Sequence, residues 1–335
     1  MISQDNINSL VKRIERANNI IIIPHRNPDG DAIGSTLALW HILKKMGKNA
    51  QVISPNDYPS FLEWMPGVEQ ILAFESYPDD VKRLLNKSDL IFTLDFNALH
   101  RVGDQMQAFL EKLSADFVMI DHHQMPDDYA KITFSDVNYG STCELLYDII
   151  NNSSLNQYFD KDVATCIYTG IVTDSGSFKF VKTTAHTHRV VAELIDYGVD
   201  NPQVHVNLFN NSSYSQLQLL GKALNQLKII GNNKVAYTYL SQDDLCEFNY
   251  QKGDTEGIVN FGLSIKDVMM AVIFIEQKQE EIIKISFRSQ GDIDVNQFAR
   301  KYFNGGGHIN AAGGKSFENL SQTIRKFETL INNEF

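Results

Sequence analysis

The sequence predicts a doubly wound α/β domain with a mainly parallel sheet, followed by a smaller α+β domain with a mixed sheet. Three observations carry that prediction. Apolar runs at 20–23, 90–94 and 117–120 alternate with stretches of helical period, the pattern of βαβ units. Each run is followed within two residues by an imidazole or a carboxylate, namely His25, Asp95 or Asp121. From about residue 217 the alternation gives way to hairpin patterns, the first of them 228–230 and 235–240 around Gly231-Asn232-Asn233. Doubly wound sheets bind ligands beyond the carboxyl ends of their strands, so the three polar groups are expected in one crevice.

Taken in order, Ile7, Leu10, Val11 and Ile14 share a helix face that Asp5 could cap. The strand 20–23 and a polar turn lead to a helix through Ile33, Leu37, Leu39, Ile42, Leu43 and Met46, ended by Gly47. Residues 51–53 read as a short strand and 61–72 as irregular or short helical packing. A helix through Met106, Phe109, Leu110 and Leu113 joins the strands 90–94 and 117–120. Further helices are expected at 143–150, 163–172 and 185–197, the last closed by Gly198. The asparagine-rich stretch that follows reads as a partly helical connection. The expected division is a metal-binding catalytic domain at 1–198, a linker at 199–216 and a substrate-binding domain at 217–335. In the last, 268–276 and 282–288 pair as antiparallel strands, and 295–302 and 320–331 are helical.

A net charge of −11 argues against broad electrostatic binding to long nucleic acid, which a basic face normally carries; a nucleotide-sized substrate stays open. Hydrophobic content of 43% with charged content of 21% is that of a soluble globular protein. No apolar run approaches the roughly 20 residues of a membrane span. Residues 1–13 lack the apolar core of a secretory signal, and Cys143, Cys166 and Cys246 form no CxxC pair. A reduced, cytoplasmic setting is expected.

His25-Arg26-Asn27-Pro28-Asp29-Gly30-Asp31-Ala32 presents a histidine and two aspartates between a strand and a helix. Joined by Asp95, by Asp121-His122-His123 and by Asp174, it supplies the candidate ligand set His25, Asp29, Asp31, Asp95, His122 and Asp174. Mn²⁺ and Mg²⁺ prefer carboxylate oxygen, and imidazole suits Mn²⁺ better. The set exceeds the needs of one ion. Two ions about 3.5–4 Å apart, sharing a carboxylate, would use it all and suit phosphoryl chemistry. Asp95, alone at its strand end, is the expected bridge, and Asp121 is expected to orient a ligand from behind. Singly, each of these groups reads as an ordinary turn or cap; their joint placement points to a site.

In the second domain, Gly305-Gly306-Gly307 allows backbone to approach a phosphate with amides free to donate, and His308 adds a donor or a positive charge. Arg288, at a strand end, offers a guanidinium for bidentate phosphate contact. No Walker loop is present, since Gly314-Lys315-Ser316 has no glycine five residues earlier.

These motifs together resemble the DHH phosphoesterases of the DHHA1 subgroup. Residues 25–32 are similar to the first family motif, Asp95 to the second, Asp121-His122-His123 to the namesake third and Thr173-Asp174-Ser175-Gly176 to the fourth. Gly305-Gly306-Gly307-His308 with Ala311-Ala312-Gly313-Gly314 resembles the signature of the DHHA1 domain. The resemblance implies two Mn²⁺ ions, with Mg²⁺ or Co²⁺ as substitutes, in an active site in the interdomain cleft. One ion would take His25, Asp29 and Asp95, the other Asp31, Asp95, His122 and Asp174. His123 would face the substrate phosphate, forming the catalytic group with Asp95 and Asp121. Arg288, Gly306, Gly307 and His308 would hold the far end of the substrate, and Arg101 would lie near the phosphate.

Gly30 and the glycine-histidine domain argue against the manganese pyrophosphatases of the family, and the length against its larger exonucleases. The expected activity is Mn²⁺-dependent hydrolysis of short oligoribonucleotides, dinucleotides included, and of 3′-phosphoadenosine 5′-phosphate, by a hydroxide bridging the two ions. A phosphodiesterase acting on cyclic di-AMP or linear dinucleotides is the alternative, ahead of pyrophosphate hydrolysis or a non-catalytic nucleotide sensor. Short oligoribonucleotides or nucleotides are the expected partners, with no track for long nucleic acid, no membrane, and a homodimer left open.

Overall fold

The computed structural model describes residues 3–251 and 253–334, and the chain divides into two compact units, Met1–Asn211 and Ser212–Phe335. The first unit contains the strands β1 (Asn19–Pro24), β2 (Asn49–Ser54), β3 (Leu72–Ala73), β4 (Leu90–Leu94), β5 (Asp116–Asp121) and β6 (Ile132–Ser135). Its helices are α1 (Gln4–Arg16), α2 (Gly30–Lys45), α3 (Pro78–Lys87), α4 (Asp104–Leu110), α5 (Thr142–Asn151), α6 (Lys161–Asp174), α7 (Ala185–Asp196) and α8 (Asn201–Phe209). The strands form one sheet in the order β3-β2-β1-β4-β5-β6, every pairing parallel.

The isoleucine run 20–23 does not alternate with polar residues because both faces of this sheet are covered. Ile20 and Ile22 enter a core with Ile14, Leu37, Leu146 and Ile167 of α1, α2, α5 and α6, while Ile21 and Ile23 enter a second core with Val81, Leu85, Met106 and Leu110 of α3 and α4. Full burial of each side chain contributes about 1.5–3 kcal/mol relative to exposure. The strand order reverses between β1 and β4, the place where such sheets open a crevice. Pro24 stands opposite Leu94, and Leu94 opposite Ile120, so β1 and β4 end level with each other and one residue before the end of β5. The next residues, His25, Asp95 and Asp121, therefore emerge side by side.

The second unit contains α9 (Tyr214–Asn225), β7 (Lys228–Ile230), β8 (Val235–Leu240), α10 (Gln242–Glu247), β9 (Met270–Gln277), β10 (Ile282–Ser289), α11 (Val295–Tyr302), β11 (Gly306–His308), β12 (Ala311–Ser316) and α12 (Leu320–Glu334). Its mixed sheet runs β11-β12-β10-β9-β8-β7, with β8 and β9 parallel and the other pairs antiparallel. Val272, Phe274, Ile285 and Phe287 pack with Phe298 of α11 and Phe327 of α12, and Ala271, Ile273 and Ile275 pack with Leu219 of α9 and Leu245 of α10.

Some details differ from expectation. Ser3, not Asp5, caps α1: its side chain accepts the Asn6 N–H, and Asp5 sits in the first turn. The stretch expected as a linker, 199–216, holds α8 and the start of α9, and Val199 and Val204 lie in the core of the first unit. The glycine stretch is a strand pair, β11 on β12, and a side chain at Gly305 would begin 1.9 Å from the Gly313 carbonyl oxygen. Only glycine permits that approach. Among the described residues no helix is long and apolar enough to cross a membrane.

Candidate metal centre

Four segments bring the ligand set together. Asp29 is the N-cap of α2: its Oδ1 accepts the N–H groups of Asp31 (3.0 Å) and Ala32 (3.1 Å). Asp31 follows in the first turn of α2, and Asp174 is the last residue of α6. Asp95 adopts a left-handed backbone conformation, φ 65°, immediately after β4. Aspartate tolerates this region better than most residues, and strain of this kind gathers at functional sites.

The histidines are aligned by their backs. His25 Nδ1 lies 2.9 Å from the Arg26 carbonyl oxygen, and His122 Nδ1 lies 3.3 Å from that of Tyr139. A carbonyl only accepts, so each Nδ1 carries the proton and each Nε2 presents a lone pair. His25 Nε2 is 3.4 Å from Asp95 Oδ2 and 4.0 Å from Asp29 Oδ1. His122 Nε2 is 3.3 Å from Asp174 Oδ2, 3.5 Å from Asp95 Oδ1 and 4.0 Å from Asp31 Oδ2. Lone pairs and carboxylate oxygens converging in this way repel one another unless a cation lies among them. The donor set therefore fits divalent metal. Ligand atoms fall within 4.8 Å of one another in three groups: His25, Asp29 and Asp95; Asp31, His122 and Asp174; and Asp95, His122 and His123.

Asp121 is fully buried, and its two oxygens face the ring Nδ1 of His123 (2.7 Å) and the His123 N–H (3.1 Å). It thus orients His123, not His122. One contribution was missed in the sequence, the N-terminus of α5. Ser141 caps that helix, the N–H groups of Thr142 (2.6 Å) and Cys143 (2.9 Å) hold the carboxylate of Asp31, and the Thr142 hydroxyl donates to Asp95 Oδ1 (2.9 Å). The signal available was a Gly-Ser-Thr step opening an apolar helix, a common cap pattern that names no partner.

Burial, then the neighbouring carboxylates, hold Asp31, Asp95 and Asp174 well above the usual carboxylate range. His122 is pulled down to about 4, by burial first and His123 second. Folding therefore makes these carboxyls keep protons that the unfolded chain releases, so metal-free protein is expected to lose stability as pH rises from about 4. His122 acts in the opposite sense between about 4 and 6.5, where the unfolded imidazole is charged and the folded one neutral. Three carboxyls outweigh one imidazole. Chelator-treated protein should melt at a progressively lower temperature as pH rises above the usual carboxylate range, and added divalent metal should reduce the fall. A metal-free protein more stable at the higher pH would refute this electrostatic reading.

The remaining expected residues are placed as follows. Arg101 lies in a single 3-10 turn (Leu99–Val102), and its carbonyl accepts the Arg26 N–H at 2.8 Å, tying the loop after β4 to the first motif. In the second unit, Arg288 sits on β10 with Nη1 donating to the Phe287 carbonyl (2.9 Å). Burial lowers its pKa, and it forms no ion pair among the described residues. Gly306 and Gly307 lie on β11. The Gly307 N–H, expected to be free, donates to Asn296 Oδ1 at 2.9 Å, because α11 packs beside β11. Arg300, not singled out in the sequence, has its guanidinium 3.5–3.6 Å from where a side chain at Gly306 would begin. The side chain of His308 lies outside the described residues.

Residues 19–171 match the N-terminal domain of the DHH family, and residues 232–333 match the DHHA1 domain. A relative from Mycoplasma genitalium, a bifunctional oligoribonuclease and PAP phosphatase NrnA, is 30% identical over 319 residues, covering 92% of this chain and 92% of its own. The chain belongs to the DHH family. This DHH protein is a hydrolase acting on phosphoester bonds. It is also 29% identical over 316 residues to the NrnA of Thermus thermophilus, covering 92% of this chain and 89% of that one. Among solved structures, an exopolyphosphatase-related protein from Bacteroides fragilis superposes with a TM-score of 0.96 at 38% identity, over 99% of this chain and 97% of its own.

Proposed function

We propose that this DHH protein hydrolyses short oligoribonucleotides, dinucleotides included, and 3′-phosphoadenosine 5′-phosphate, with two divalent ions, Mn²⁺ preferred. The observation that carries the reading is the charge of the centre. Asp29, Asp31, Asp95 and Asp174 supply four carboxylates around two Nε2 lone pairs. Two divalent ions would balance those four charges, and imidazole among the ligands favours Mn²⁺ over Mg²⁺. His25, Asp29 and Asp95 would hold one ion and Asp31, Asp95, His122 and Asp174 the other. When bound, such ions lower the pKa of water and offset charge developing on phosphate oxygens.

The chain's own groups have distinct tasks. Asp95 links the two halves, its oxygens facing His25 and His122, and the Thr142 hydroxyl fixes its orientation. The amides at the α5 N-terminus hold the Asp31 carboxyl in place and favour its charged form, which offsets part of the rise that burial and the neighbouring carboxylates impose. His123, its ring oriented through Nδ1 by Asp121, is proposed to donate a hydrogen bond to the substrate's phosphate oxygens. In the second unit, Arg288, Gly306, Gly307 and His308 are proposed to bind the distal phosphate and Arg101 the reacting one. Arg288 suits that role because its half-buried guanidinium has no carboxylate counterpart among the described residues. A substrate held by a few local contacts also fits a net charge of −11. The names of the relatives, oligoribonuclease and PAP phosphatase, support the same choice.

The test is a panel with Mn²⁺: a diribonucleotide, 3′-phosphoadenosine 5′-phosphate, cyclic di-AMP and pyrophosphate. The highest kcat/KM is expected for the diribonucleotide, with loss on chelation and recovery with Mn²⁺ above Mg²⁺. Strong preference for the cyclic dinucleotide would overturn the substrate assignment, and phosphate release from pyrophosphate alone would overturn the reaction class.

A further inference from the structure

We infer that Phe180 is a stacking platform for a nucleobase of the substrate, set beside the metal centre by the turn that follows Asp174. The inference rests on the oligonucleotide reading above and adds the group that recognises the base. Directly after α6, three consecutive residues, Gly176, Ser177 and Phe178, take left-handed conformations with φ 57°, 58° and 66°. Two of them are not glycine, and that region costs L-residues energy. The turn is nevertheless fixed: Ser177 N–H donates to the Val172 carbonyl (2.8 Å), Phe178 N–H to Ser175 Oγ (3.0 Å) and Phe180 N–H to the Ser175 carbonyl (3.1 Å).

Its two aromatic residues part ways. Phe178 is half-buried, its ring centroid 5.5 Å from that of His188, while Phe180 is 59% exposed and Val181 wholly so. The tip of the Phe180 ring rests on Gly176, where a side chain would begin 2.6 Å from Cζ. An apolar ring is thus held at the surface, anchored to a glycine two residues beyond Asp174. Exposed Lys179 and Lys182 flank it, and the charge of Lys182 is felt at both His122 and Asp174.

A fixed, strained turn that presents a large apolar ring next to a hydrolytic centre offers a substrate a surface to cover. A nucleobase fits: it is flat, it is joined to the phosphate that the metal centre attacks, and its backbone charge suits the two lysines. Stacking of this kind is indifferent to base identity, because every base has a π-face.

The experiment compares a diribonucleotide with the same phosphodiester built on abasic riboses, as a ratio of kcat/KM values with Mn²⁺. In Phe180→Ala and Phe180→Leu the preference for the base-bearing substrate is expected to fall about tenfold, carried mainly by KM, and Phe180→Trp should retain it. An unchanged ratio in both the Ala and the Leu variants would overturn the inference while leaving the oligonucleotide reading intact. A wild-type protein that hydrolyses neither diester would overturn that reading, and the platform with it.

Discussion

Replacing Asp95 with asparagine is expected to lower Mn²⁺-dependent turnover by about 10³-fold or more while leaving the fold in place, the scale seen when a single electrostatic contributor to a transition state is removed. The reasoning starts from the backbone. Asn occupies the left-handed region at φ 65° as readily as Asp, and its amide matches the carboxylate in shape, so Asp95→Asn changes charge and little else. The two oxygens of Asp95 face opposite halves of the site, Oδ2 toward His25 at 3.4 Å and Oδ1 toward His122 at 3.5 Å. Loss of the carboxylate should therefore reduce metal content at both positions, measured by elemental analysis of protein equilibrated with Mn²⁺. The metal-free variant should melt no lower than the metal-free wild type, because a carboxyl crowded by burial and by Asp29 and Asp174 is no longer forced to choose between charge and proton. Asp95→Ala should show the same loss of metal with about 1 kcal/mol of added strain. Full metal content and turnover in the asparagine variant would remove Asp95 from the bridging role.

How much of this was legible beforehand depends on the distance over which each feature is decided. The ends of β1, β4 and β5 could be read because four or five apolar residues followed by one polar group form a local pattern, and parallel pairing then aligns His25, Asp95 and Asp121 without further information. The hairpin of β7 and β8 was local in the same way, its turn residues Gly231, Asn232 and Asn233 all taking positive φ. The hold of α5 on Asp31 spans 111 residues and consists of backbone amides, which no side-chain pattern reveals. The free amide expected at Gly307 failed for a related reason, since Asn296 is a neighbour only once α11 has folded against β11. The stretch 199–216, whose asparagines and serines read as a partly helical connection, holds α8 and the start of α9, and Val204 on α8 finds the core, where a buried valine helps outweigh propensity differences of a few tenths of a kcal/mol.

Gly34→Ala is expected to destabilise the protein by up to about 2 kcal/mol and to lower turnover about 10²-fold, although alanine is the better helix former. Propensity alone favours the substitution by about 1 kcal/mol, as it does for any glycine inside a helix. At Gly34, in the middle of α2, the added carbon would begin 2.5 Å from the Cys166 carbonyl oxygen and 3.2 Å from the Gly170 nitrogen, both backbone atoms of α6 that cannot swing aside. The nearest side-chain atom, Cys143 Sγ at 3.1 Å, is itself buried and offers no relief. The helices must separate, at a cost of about 1–3 kcal/mol for overpacking. Separation matters for chemistry because α2 carries Asp31 and α6 carries Asp174, and His122 Nε2 stands 4.0 Å from the one and 3.3 Å from the other. A shift of about 1 Å between reacting or ligating groups is enough for a hundredfold loss. Gly221, inside α9, provides the control: a side chain there meets nothing within 4 Å, so Gly221→Ala should raise stability by about 0.5–1 kcal/mol. For Gly34→Ala, melting temperature and Mn²⁺ affinity should both fall; for Gly221→Ala, melting temperature should rise with metal affinity unchanged. A Gly34→Ala protein as stable and as tightly metal-binding as wild type would show that the contact of α2 with α6 does not set the spacing of the centre.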